Sequence, residues 1–100
     1  MTPVRESAVE QHLLTRCRGN GYLCLKFVSP GRAGVPDRII VAPGGTVFVE
    51  VKRPGGRLRR LQQVTIAWLK SAGGEVFVVD GRSAVDALVD ELAARVTVAA

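Results

Sequence analysis

The chain has 100 residues, 47% apolar and 23% charged, with a net charge of +5 and a pI near 10.0. That length and apolar content bound one small domain with an aliphatic core, spanning residues 1–100 with its core at about 4–95. They exclude a membrane-spanning chain, since no run approaches the roughly 18 apolar residues a span needs.

The N-terminus shows no apolar leader, and Cys17 and Cys24 have no metal-ligand spacing. Two free thiols on a cytoplasmic chain are therefore expected. The positive charge fits a polyanionic partner. Arginine outnumbers lysine eleven to three, and guanidinium groups suit bidentate phosphate contacts, although genome composition produces the same bias.

In chain order, Thr2-Pro3 is expected to cap and open a first helix. Val9, Leu13, Leu14 and Cys17 carry its helical spacing from Val4 to about Arg18, and Asn20-Gly21 ends it. Glu6 and Glu10 share one face. His12, the sole histidine, reads as an ordinary helix residue, because no other His or Cys clusters with it. Residues 22–28 read as a strand in which Leu23, Leu25 and Phe27 alternate with Tyr22, Cys24, Lys26 and Val28. Lys26, at its centre, either faces a site and touches phosphate or is a strand-edge lysine. Residues 29–35 hold Pro30, Gly31, Arg32 and Gly34, and form either a flexible basic flap over nucleic acid or a plain connector.

Pro36-Asp37 then opens a hairpin: Arg38-Ile39-Ile40-Val41-Ala42, the punctuation Pro43-Gly44-Gly45, and Thr46-Val47-Phe48-Val49-Glu50-Val51-Lys52. A two-residue turn at Pro43-Gly44 pairs Asp37 with Glu50; a turn at Gly44-Gly45 pairs Asp37 with Lys52. Both registers put Asp37, Glu50 and Lys52 on one face, whereas a three-residue turn without a bulge puts Asp37 on the other. Val47, Val49 and Val51 form the opposite, core face. Phe48 among the polar residues implies that a helix covers part of the second face too, so this strand belongs at the centre of a sheet. Two carboxylates on adjacent strands repel each other and resist desolvation. A divalent cation resolves the conflict, and hard oxygen ligands favour Mg²⁺, with Mn²⁺ substituting. A neighbouring lysine orients water or offsets charge on a phosphate. Without the cation, the same motif is a solvated hairpin face with an ordinary Glu-x-Lys pair.

Residues 53–60 are a basic loop with Arg53, Arg57, Arg59 and Arg60 and no acid, the best phosphate-binding segment of the chain. It lacks the Gly-Lys-Ser/Thr tail of a P-loop. A second helix starts at Leu58 or Leu61 and runs to about Ser71, with Leu61, Val64, Thr65, Trp68 and Leu69 as its buried stripe. Val76-Phe77-Val78-Val79 is a buried strand. Ser83 is expected to cap a last helix, with Asp86 as its capping-box partner and Val85, Leu88, Val89 and Leu92 facing inward; residues 96–100 are expected to fray. The order α-β-β-β-α-β-α makes an α/β fold, a mixed central sheet flanked by helices. The crossover from the Lys52 strand to the Val76 strand makes that pair parallel.

Pro36-Asp37 with Glu50-Val51-Lys52 resembles the PD-(D/E)xK nuclease signature. Gly34-Val35-Pro36-Asp37-Arg38, Phe48 to Gly56, and Leu61-Gln62 resemble the VRR-NUC branch of that superfamily, over about residues 6–89. The resemblance implies a restriction-endonuclease-like core and a Mg²⁺-dependent endodeoxyribonuclease. In it, Asp37 and Glu50 hold the metal, the Val51 carbonyl adds a ligand, and a first-helix glutamate completes the shell directly or through water. That glutamate is Glu10, with Glu6 as the fallback. Lys52 positions water or offsets charge, and Gln62 supports the site through water or phosphate. By charge and position rather than by the resemblance, Lys26, Arg32, Arg53, Arg57, Arg59 and Arg60 are expected to contact the nucleic acid. The resemblance further implies branched DNA, Holliday junctions above all, as substrate and a homodimer as the working unit, with no small-molecule cofactor and no membrane. The alternative is a DNA-binding module with little catalysis, or a subunit that delivers a partner nuclease or helicase.

Overall fold

The computed structural model describes residues 3–97. They form α1 (Glu6–Gly19), β1 (Leu23–Lys26), β2 (Arg38–Ala42), β3 (Gly45–Val51), α2 (Arg60–Ser71), β4 (Val76–Val79) and α3 (Arg82–Thr97). The strands make one mixed sheet in the spatial order β1-β2-β3-β4. The first two pairs are antiparallel and β3-β4 is parallel, as the α2 crossover requires.

The β2-β3 turn sets the register on which the site depends. Ala42 stands opposite Gly45 and Arg38 opposite Val49, so the turn takes the two residues Pro43 and Gly44. One step further along, the same ladder sets Asp37 opposite Glu50. Pro43 cannot adopt the positive φ of the usual two-residue hairpin turns, and Gly45 accommodates the strand's return with φ 135°. Gly44 lies so close to the Leu92 carbonyl that a Cβ there would collide with it.

Alternation then sorts the sheet into two unlike faces. Ile40, Val47, Val49, Val51 and Val79 point to one of them. There they pack against Val9, Leu13 and Cys17 of α1 and Val85, Leu88, Val89 and Leu92 of α3, all buried. This is the aliphatic core that the composition implies, and burying each such side chain is worth about 1.5–3 kcal/mol. Polar contacts tie the two helices over it: Arg16 bonds Asp86 at 2.5 Å and Asp90 at 3.1 Å, and His12 bonds Asp86 at 2.8 Å. Arg95 of α3 clasps Glu75, just before β4, at 2.6 and 2.9 Å. The other face carries Asp37, Ile39, Phe48, Glu50 and Lys52, and only α2 lies over part of it.

Several boundaries differ from those expected. Thr2 lies outside the described residues, and α1 opens at Glu6 behind an extended Arg5 that makes no side-chain cap bond; the Glu6 carboxylate in the first turn suits the helix dipole. β1 is shorter than residues 22–28 because the Tyr22 N–H closes the end of α1 on the Cys17 carbonyl at 2.9 Å. Ser83 does not cap α3. The Val85 N–H already donates to the Gly81 carbonyl at 3.1 Å, which puts Ser83 inside the first turn and leaves Asp86 to α1. The helix continues through residues 96 and 97, and residues 98–100 lie outside the description. The buried arc of α2 is Thr65 and Ile66, while Leu61 is 53% and Trp68 55% exposed. The core placement of Trp68 is therefore corrected: α2 packs against β4, and its side carrying Leu61, Thr65 and Trp68 turns to residues 29–35 and to solvent.

Replacing Leu13, fully buried in this core, with Ala should lower unfolding stability by about 2–5 kcal/mol in urea melts. Val96→Ala, at an exposed position of α3, should stay within about 0.5 kcal/mol. Equal losses at the two positions would contradict the assignment of faces.

Candidate active site

β2 begins at Arg38, and one residue earlier the Asp37 side chain takes over from the ladder. Its Oδ2 accepts the Val51 N–H at 2.9 Å, while its backbone carbonyl accepts the Phe27 N–H at 2.9 Å. Asp37 is thus fixed between β1 and β3. Across from it, Glu50 sits at the C-terminal end of the central strand and is 1% exposed. Its Oε2 accepts Gln62 Nε2 at 2.8 Å and lies 3.4 Å from Lys52 Nζ. Its Oε1 is buried with no hydrogen-bond partner among the described residues.

Gln62 holds this position from the start of α2. Its Oε1 accepts the N–H of Arg59, the N-cap residue, at 2.9 Å, so one amide group caps the helix and grips the acid at once. The helix is held in turn by residues 33 and 34. Thr65 Oγ1 donates to the Ala33 carbonyl at 3.0 Å, and Gly34, at φ 83°, sits where any Cβ would meet the Leu61 carbonyl at 2.6 Å. An open cavity of about 350 Å³ lies in front, lined by Asp37, Gln62, Arg59 and Val35 among others.

Burial is the main cause that pushes the Glu50 carboxyl up to about 7, and the nearby Asp37 charge adds to it; Lys52 pulls the other way without matching them. A buried acid with an orphaned oxygen beside a second acid is an arrangement that welcomes positive charge.

The structure thus brings Asp37, Glu50, Lys52 and Gln62 together. It does not bring Glu10 to them. Arg38 Nε donates to Glu10 Oε2 at 3.0 Å, and strand alternation places Arg38 on the opposite, core face of the sheet. Glu6 is exposed at the start of α1. Lys26 stands opposite Arg38 at the end of the edge strand, on that same far face. Among the described residues no three His, Cys, Asp or Glu side chains form a group that could hold a metal. Arg53, Arg57, Arg59 and Arg60 are exposed and make no ion pair with a described acid, and Arg59 lines the cavity. Arg32 lies with its guanidinium 4.1 Å from the centre of the Trp68 ring.

Two residues carry more than sequence reasoning gave them. Arg38 is 9% exposed, and its position after Asp37 was the available signal: alternation sends it into the core, where it needs a buried acid. Trp68 offered no such signal, because its neighbour Arg32 is distant in sequence.

A model of the VRR-NUC domain family matches residues 5–83. “Putative nuclease p44” of Acyrthosiphon pisum secondary endosymbiont phage 1 is 42% identical over 83 residues, which cover 82% of this chain and 89% of that protein. A solved VRR_NUC domain superposes with a TM-score of 0.78 at 31% identity, covering 85% of this chain and 94% of the other. Fold and relatives together define a nuclease, a hydrolase of nucleic-acid phosphodiesters. Within that class, the chain belongs to the VRR-NUC domain family.

The raised carboxyl has a consequence for stability. In the absence of cations folding favours protonated Glu50, so its contribution is full below the ordinary carboxylate range and is lost as pH rises through about 7. In EDTA, Glu50→Gln should therefore gain stability relative to the parent protein as pH rises, levelling off above about 7. A difference that stays flat across that range in paired urea melts would contradict the burial-driven shift.

Proposed function

We propose that the protein is a metal-dependent, structure-specific DNA endonuclease that hydrolyses phosphodiester bonds in branched DNA such as Holliday junctions, working as a homodimer on DNA in the cytoplasm. The observation that carries the reading is Glu50 Oε1: a buried carboxylate oxygen without a hydrogen bond, beside a second carboxylate. The donor set fits Mg²⁺, which is commonly held by one or two carboxylates while water and substrate phosphate fill its other positions; Mn²⁺ should substitute. Asp37 and Glu50 would hold the ion together with the Val51 carbonyl, without Glu10, which Arg38 keeps on the other face of the sheet. When bound, the ion neutralises charge developing on the phosphate and lowers the pKa of a coordinated water.

The chain's own residues supply the rest. Lys52, 3.4 Å from Glu50, orients the attacking water or offsets charge as the P–O bond to the leaving oxygen breaks. Gln62 keeps Glu50 Oε2 occupied, so Oε1 is the oxygen left free. Arg53, Arg57, Arg59 and Arg60 hold substrate phosphates along the rim, contacts that position the strand without reading its bases. No base-reading element accompanies them among the described residues, which favours recognition of DNA shape. The edge strand β1 supports pairing of two copies: Leu23 is 59% and Leu25 48% exposed, with Val28 just past the strand at 74% and Val41 of β2 at 40%. A two-fold dimer presents two equivalent sites to a junction of matching symmetry.

A panel of four-way junction, flap and linear duplex, incubated with Mg²⁺ or with EDTA, tests the reading. Cleavage should require the metal and be strongest on branched DNA. Asp37→Ala should abolish it, and Lys52→Ala should slow it about 10²–10³-fold, the usual loss when one charge-stabilising group is removed. Tight binding with no cutting in either Mg²⁺ or Mn²⁺ would instead mark a binding module that delivers a partner enzyme. An absence of binding at low salt would remove both readings.

A further inference from the structure

Trp68 is the sole tryptophan of the chain and is 55% exposed, on the side of α2 turned away from the buried Ile66. A single half-exposed ring is ordinary on a small domain, but this one has an organised setting. It borders a cavity of about 220 Å³ shared with Phe27, Arg32, Val35, Thr65 and Leu69, with no carboxylate in its lining. Arg32 rests 4.1 Å from the centre of the indole. Phe27 is braced from behind by Phe48, with ring centres 5.4 Å apart. Val35 lines this cavity and also the one in front of Asp37 and Gln62, so the two hollows meet across one residue. The Thr65–Ala33 hydrogen bond and the tight seat of Gly34 fix the loop to α2 between them.

We propose that Trp68 is the stacking site for an unpaired nucleobase of the DNA, one step along the strand from the cleavage centre. Every base offers a π-face, and stacking on an exposed indole is worth more than an exposed cation–π contact. The base therefore takes the place of Arg32 on the ring, and the released guanidinium turns to the adjoining phosphate. Fully paired duplex has no free base to give, so the site favours substrates with unpaired nucleotides at the branch. This rests on the endonuclease reading above and narrows its substrate class.

The single tryptophan makes the test direct. The full-length protein in EDTA, where no strand is cut, is titrated with a blunt duplex and with the same duplex bearing a short oligo-dT flap. Tryptophan emission and affinity are recorded together. The flap should quench the emission and the blunt duplex should leave it unchanged. Trp68→Ala should weaken flap binding about 5- to 100-fold with blunt-duplex affinity unaltered, and Trp68→Phe should restore most of the loss. Because Trp68 is exposed, thermal melts of both variants should match the parent and exclude misfolding. Equal quenching by both DNAs, or equal loss of affinity for both in Trp68→Ala, would overturn the proposal while leaving the endonuclease reading intact. So would a Trp68→Ala protein that binds every DNA normally, which would leave this face to a protein partner. If the parent binds neither DNA at low salt, the endonuclease reading and this one fall together.

Discussion

A carboxylate 1% exposed to solvent, with one oxygen lacking any hydrogen bond, is a standing cost in a domain of 100 residues. Leaving a buried polar group unsatisfied costs on the order of 1–3 kcal/mol, more when it is charged. That is a substantial share of the 5–15 kcal/mol or so by which small domains are stable. Much of the local structure serves to keep Glu50 in this position. β3 is the central strand, Gln62 reaches from α2 to one oxygen, and Asp37 is tied by Val51 into the same corner. A surface glutamate would avoid the conflict at no cost to the fold. Glu50 does not escape to solvent because its backbone is ordered on both sides, by β2 and by β4.

The two faces of the sheet divide the labour. One is closed by α1 and α3 over an aliphatic core and provides the stability on which the strained corner draws. The other is only partly roofed by α2, leaving room for a phosphate backbone in front of the acids and an exposed indole beside them. Arg59 and Arg32 border this open side, whereas Arg38 and Arg16 are spent on ion pairs that hold α1 in place. The positive charge is therefore unevenly used, and Arg59, unpaired among the described residues, is a part of it that lines the cavity.

How much of this could be read from the chain follows from the range of each interaction. The hairpin was legible because alternation and turn length are local rules, and one of the two registers considered proved to be the one adopted. The parallel β3-β4 pair followed from the crossover through α2, and the buried stripe of α3 from periodicity alone. Helix ends were less legible: which carbonyl closes α1, or whether Gly81 or Ser83 starts α3, is decided by single hydrogen bonds that compete within an energy of about 1 kcal/mol. The phase of α2 was misjudged because its apolar residues nearly encircle it. Only the sheet beneath decides that Ile66 goes in and Trp68 stays out. The Glu10–Arg38 pair joins residues far apart in sequence across the core, where no local pattern announces a partner.

The central claim, that Asp37 and Glu50 share one cation, is tested most directly by diffraction from crystals soaked in Mn²⁺, with anomalous scattering locating the ion. A single peak is expected between the two carboxyl groups, in contact with Glu50 Oε1, and it should vanish in Glu50→Gln crystals. Crystals that bind Mn²⁺ elsewhere only, or show Glu50 Oε1 hydrogen-bonded with no ion near it, would contradict the account.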